Sequence, residues 1–154
     1  MKYNLVGIVI RKRPGDFIDV ESLLQSKLVY IRDVNFEEVV NSSENEGPVD
    51  VLQTDHGILV IVGLDYMYDL SNLTNESIQF IIAEIADIYY FERYFNGELK
   101  SQYIASRESV VTYNMRKQTI SDLIGSVWEY TGKCLQIKFR EKMLEVKFSR
   151  YQRV

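Results

Sequence analysis

The amino-acid sequence predicts an α+β fold, an antiparallel or mixed sheet of about six to eight strands with two or three packed helices, in a single domain over residues 1–154. Three observations carry that expectation. Two strand-forming runs, residues 88–95 and 99–104, flank Asn96-Gly97, whose residues both tolerate the positive φ of a type I′ turn. Apolar stripes at helical spacing alternate with short β-branched runs, the pattern of sheet and helix in one chain. A length of 154 residues with 46% hydrophobic and 26% charged composition is enough for one sizeable core.

In chain order, residues 3–10 read as a strand and Pro14-Gly15 as a turn. Asp16 or Asp19 caps a helix near 20–27, since Val20, Leu23, Leu24 and Leu28 share one face. Residues 28–34 alternate as a strand, residues 35–40 fit either class, and residues 41–48 are a polar surface loop. Residues 49–53 and 58–62 form a hairpin around Thr54-Asp55-His56-Gly57, the second run apolar enough to be central. An irregular crossing segment follows from Leu64 to Leu73.

Thr74 is positioned as an N-cap for a helix near 75–87, on which Ile78, Ile81, Ile82, Ile85, Ala86 and Tyr89 form a stripe. Phe80 lies opposite that stripe with Glu76, Ala83, Glu84 and Asp87 around it, either a second buried contact or a binding anchor. The first strand of the aromatic hairpin carries apolar residues on both faces and is expected to be central and covered on both sides. Its register stays open. A two-residue loop sets Tyr94 against Leu99, Tyr90 against Tyr103 and Arg93 against Lys100, while a three-residue loop sets Glu92 against Lys100.

Residues 110–115 are another strand. Thr119 and Asp122 resemble a capping box for a helix near 120–131 with the stripe Ile120, Leu123, Ile124, Val127 and Trp128; Gly125 sits on its polar side and Gly132 ends it. Beyond it, Leu135, Ile137 and Phe139, then Leu144, Val146 and Phe148, alternate as a last hairpin, although Leu135, Phe139, Lys142, Met143 and Val146 also fit helical spacing.

Charge is distributed unevenly. The formal net charge is −4, but residues 33–92 hold thirteen acidic residues and no Lys or Arg, so that segment carries −13 and the remainder +9. It is either a solvated surface, neutralised in part by the basic remainder, or a partner-facing one. The single Cys134 excludes an internal disulfide and, with the single His56, leaves no Cys/His cluster for zinc. No glycine-rich phosphate loop, nucleophile elbow or HExxH helix is present, so no catalytic motif and no cofactor is implied. His56 reads as a turn residue and Cys134 as a small core residue rather than a dyad. Residues 133–154 carry seven Lys or Arg against two Glu with aromatics nearby, yet the acidic whole argues against direct nucleic-acid binding. The six-residue apolar run before Arg11 is too short to span a membrane or to form a signal-peptide core.

The run Ile58-Leu59-Val60-Ile61-Val62-Gly63, the helix after it, then Ile88-Tyr89-Tyr90-Phe91-Glu92-Arg93 and Asn96-Gly97-Glu98-Leu99-Lys100 resembles the strand, helix and aromatic hairpin of small bacterial immunity-type proteins, which accompany polymorphic or contact-dependent toxins. The likeness covers about a third of the chain. It implies a cytoplasmic protein that binds and blocks one cognate toxin, and it carries over no functional residues.

Two functions are therefore expected as alternatives. One is a protein-binding inhibitor of a cognate toxin, possibly a nuclease, acting through Asp65, Tyr66, Tyr68, Asp69, Glu76, Phe80 and Glu84; eleven tyrosines suit an interface. The other is a small enzyme or ligand-binding domain around Asp65, Tyr66, Tyr68 and Asp69, or a structural subunit.

Overall fold

The computed structural model describes residues 2–42, 47–64 and 67–154. Along the chain run β1 (Asn4–Arg11), α1 (Val20–Leu24), β2 (Leu28–Asn35), α2 (Phe36–Ser42), β3 (Val49–Thr54), β4 (Gly57–Val62), β5 (Ser77–Ala83), β6 (Ile88–Phe95), β7 (Glu98–Ala105), β8 (Val110–Tyr113), α3 (Ile120–Leu135), α4 (Phe139–Lys142) and β9 (Lys147–Arg153). Among the described residues nine strands form one antiparallel sheet in the order β2-β9-β3-β4-β1-β5-β6-β7-β8, more strands than the six to eight expected, and four helices accompany it.

The central strands are apolar on both sides because both sides of the sheet are covered there. Leu5 and Val9 of β1, with Leu59 and Ile61 of β4, enter the core under α2, α3 and α4. Val6, Ile8 and Ile10, with Ile58, Val60 and Val62, enter a second core with Leu24 of α1 and Leu70. In the first core Trp128 meets Tyr3, Phe36, Phe80 and Phe139 at ring-centroid distances of 5.5 to 5.7 Å, separations at which tilted and edge-to-face aromatic pairs are favourable.

The helix expected near 75–87 is instead strand β5. Ile78, Phe80 and Ile82 enter the first core, while Ile81 packs against the second, so the apolar run belongs to a strand buried on two faces. Ile85, a member of the supposed stripe, is exposed in the turn that follows. Thr74 caps nothing there; its carbonyl accepts from Asn96 N–H. The ambiguous residues 35–40 hold α2, whose start is a capping box overlooked in the sequence: Asn35 Oδ1 accepts from Glu38 N–H at 2.9 Å and Glu38 Oε1 from Asn35 N–H at 3.5 Å. The loop expected at 41–48 falls largely on residues 43–46, outside the described residues.

Helix α1 is short, capped by Asp19 and closed by Gln25 in the left-handed region. Thr119 caps α3 as expected, but Gly132 does not end it: α3 runs to Leu135, and Gly132 is there because a Cβ would lie 2.8 Å from Ile137 O. Gly125 is likewise buried, under the Arg140 guanidinium, not on a polar face. The C-terminal hairpin is replaced by the end of α3, α4 and β9, and β9 inserts between β2 and β3.

At the aromatic hairpin, Asn96 and Gly97 both take positive φ, 52° and 77°, as a type I′ turn requires. Tyr94 pairs with Leu99, and then a bulge intervenes so that Arg93 meets Ser101 and Tyr90 meets Ile104. Lys100 is the extra residue, and the bulge relieves the Arg93–Lys100 conflict that an unbroken ladder imposes.

Candidate functional site

Of the seven residues singled out in the sequence, the described ones do not form one surface. Asp65 and Tyr66 lie outside the described residues. Phe80 is fully buried, its ring over Gly7 and against Trp128, so it is a core contact and not an exposed anchor. The acidic ring imagined around it does not exist, because on a strand Glu76 and Glu84 have other neighbours. Glu76 pairs with Arg11 and Arg93, each at 3.3 Å, and accepts from Tyr130 OH at 2.6 Å. Burial, and then that bond to Glu76, hold the Tyr130 phenol far above its ordinary range. Glu84 accepts from Tyr3 N–H at 2.6 Å. Both carboxylates are committed within the chain.

Tyr68 and Asp69 do stand together, on the wall of a cleft of about 650 Å³ whose other wall is Phe17 to Gln25. Asp69 Oδ1 accepts from Ser71 N–H at 2.9 Å, and its hydrogen bonds to Ser71 hold its carboxyl below the usual range. Tyr68 is tied to the sheet through its backbone, with its N–H donating to Gln79 Oε1 (2.9 Å) and its carbonyl accepting from Gln79 Nε2 (2.7 Å), while its hydroxyl accepts from Arg153 Nη2 at 3.0 Å. Phe17 and Met67 remain exposed at the cleft. Farther along, Ser71 O would lie 2.6 Å from a Cβ on Gly97, so this segment rests directly on the hairpin turn.

Past that wall, among the described residues, the second face of the sheet opens toward β7 and β8. Cross-strand partners share a face, so the registers define two rows over β5 to β8. One row is apolar: Ile81, Tyr90, Ile104 and Val111. Ile104 is 39% and Val111 59% exposed. The adjoining row is polar and ends on an aromatic: Gln79, Glu92, Gln102 and Tyr113. Strand β6 is thus central in order but covered fully on one side only, against the expectation of cover on both.

At the head of the polar row Glu92 is only 6% exposed. Gln79 Nε2 donates to its Oε1 at 2.8 Å, Tyr90 OH donates to its Oε2, and Gln102 Nε2 donates to Tyr90 OH at 2.9 Å. Burial, then the bond to Glu92, push the Tyr90 phenol well above its usual range. No protein family, curated protein or solved structure matches the chain.

The remaining candidates for chemistry are internal. Cys134 is fully buried and burial pushes its thiol up, against the pull of Arg11, the opposite of an activated nucleophile. Among the described residues no group of three or more His, Cys, Asp or Glu is close enough to hold a metal. No described helix is long and apolar enough to cross a membrane. Sequence reading missed Gln79, Glu92, Gln102, Ile104 and Val111 as a set. Their common face becomes readable only once the bulge at Arg93/Tyr94 and the strand status of β5 are known.

Proposed function

We propose that the protein is a protein-binding inhibitor of the immunity type, which holds a cognate partner against the open face of β5 to β8 and the adjoining wall of Tyr68 and Asp69. The single observation that supports this reading is the apolar row Ile81-Tyr90-Ile104-Val111, continuous across four strands and exposed at its outer end. An apolar strip bordered by a polar row is the usual composition of an interface centre and its rim. The acid-rich segment contributes less than its charge suggests: Glu38, Asp50 and Glu76 are paired with arginines of the same chain, which leaves Asp69 as an exposed carboxylate at the border.

A photo-crosslinking residue placed at Val111, and separately at Val29 on the opposite edge of the sheet, tests the reading in the native cell. The expected result is one discrete adduct from position 111 and none from position 29, with the purified 1:1 complex lost on Val111→Lys. Equal labelling from both positions, or a complex that survives Val111→Lys, refutes it.

A further inference from the structure

We propose that the partner anchors itself on this face with an arginine side chain, which lies over Tyr90 and Tyr94 and pairs with Glu92; the inference rests on the face being a protein-binding surface. The buried or half-buried acids of the sheet differ in one respect. Asp50, 1% exposed, is matched by Arg150 through Nε–Oδ1 at 2.9 Å and Nη2–Oδ2 at 3.0 Å. Glu76 is matched by Arg11 and Arg93. Glu92 is nearly as buried as Asp50, yet among the described residues neither Lys nor Arg forms an ion pair with it, and its partners are the neutral Gln79 and Tyr90, with the Tyr94 hydroxyl beside it.

A carboxylate offers about four acceptor positions; Gln79 and Tyr90 fill two of them and the Tyr94 hydroxyl faces a third. Taking a charge out of water is repaid chiefly by an opposite charge with good hydrogen-bond geometry. Glu92 lacks that charge in the free chain. Tyr90, which links Glu92 to Gln102, is half-buried, so the carboxylate communicates with the surface and not with a sealed core. The Tyr94 phenol is raised first by burial and then by the charges of Glu92 and Asp69, which marks this corner as electronegative.

Arginine fits the corner better than lysine does. Its planar fork can use two acceptor positions at once, and it stacks on aromatic faces, as Tyr90 and Tyr94 offer. The partner residues flanking it would then lie along Ile81, Ile104 and Val111.

The test uses the isotopically labelled full chain with N-acetyl-arginine methylamide as probe and the neutral isostere N-acetyl-citrulline methylamide as its control, read through the side-chain amide signals of Gln79 and Gln102. The arginine probe is expected to shift these signals saturably, with binding weaker by about tenfold for the citrulline probe and for Glu92→Gln, as loss of a charged hydrogen bond implies. The citrulline comparison is made on wild-type protein and holds even if Glu92→Gln fails to fold. Equal response to the two probes, or undiminished arginine binding by folded Glu92→Gln, overturns the proposal. A position-111 adduct without an arginine-dependent shift removes the anchor and leaves the face; an arginine-dependent shift without that adduct removes the face.

Discussion

Replacing Gly7 with alanine should destabilise the protein through Phe80 alone. Gly7 and Phe80 are cross-strand partners, and the phenyl ring lies across the glycine. A Cβ at position 7 would sit 2.2 Å from Cζ and 2.6 and 2.7 Å from the two Cε atoms. The shortest falls more than an ångström short of carbon–carbon contact, at about 3.5–4.0 Å, and the other two are also well inside it, so the ring must move. It cannot move freely, because Trp128 stands edge-on to it at 5.5 Å. Overpacking of this kind costs roughly 1–3 kcal/mol, and the blocked escape places Gly7→Ala near the upper end. Leucine at position 80 lacks the colliding ring atoms. In a Phe80→Leu background the same alanine should therefore be neutral, or stabilising by up to about 0.5–1 kcal/mol, since glycine weakens a strand interior by that amount. Urea unfolding of the wild type, both single variants and the double variant gives the coupling energy, expected at about 2–3 kcal/mol, within the range found for residues in contact. A Gly7→Ala cost below about 0.5 kcal/mol, the level of an ordinary surface substitution, or additivity in the double variant, would refute the packing account of Phe80.

Asp50→Ala should cost about 3–5 kcal/mol, because it strands a buried guanidinium, whereas Asp50→Leu combined with Arg150→Met should recover most of that; urea midpoints of the two variants compare them, and equal losses would contradict it. Alkaline stability follows from Tyr90 and Tyr130, whose phenols are raised in the folded state by burial and by their carboxylate partners. A raised folded-state pKa means the unfolded chain binds fewer protons once pH passes the ordinary tyrosine value of about 10. Their contribution is thus whole below about pH 10 and is lost as pH rises above it, and Tyr130→Phe should flatten that decline in unfolding experiments run from about pH 9 upward; an unchanged slope would contradict it.

Local signals in the sequence were legible wherever one residue or one turn decides the structure. Asn96-Gly97, the Asp55-His56 turn, and the caps at Asp19 and Thr119 all appear where their chemistry places them. What stayed hidden depends on neighbours distant in sequence. Ile78, Ile81 and Ile82 fit a helix stripe and a strand buried on two faces equally well, and only the pairing of β5 with β1 and β6 decides between them. Gly132 carries the signature of a helix end, yet its glycine answers to Ile137 O. For the site, Tyr68 and Asp69 line one cleft, but Glu76 is drawn away by Arg11 and Arg93. The row over β5 to β8 was beyond reach because a one-residue bulge sets which β7 side chains oppose β6.

The insertion of β9 between β2 and β3 also sets the order in which the fold can be completed. Arg150 and Asp50 stand one hundred residues apart, and β2 has no neighbour in the sheet except β9. On a ribosome, the stretch from β1 to β8 can emerge and pair while β2 still waits, its backbone and the outer side of β3 unpaired. Two open edges persist until residues 147–153 clear the exit tunnel, and such edges are where chains join one another. Closure of this half therefore comes late and is slow, as pairings of long sequence separation are. A holdase that shields β2 during synthesis should raise the soluble yield more than any change that strengthens the β6–β7 hairpin.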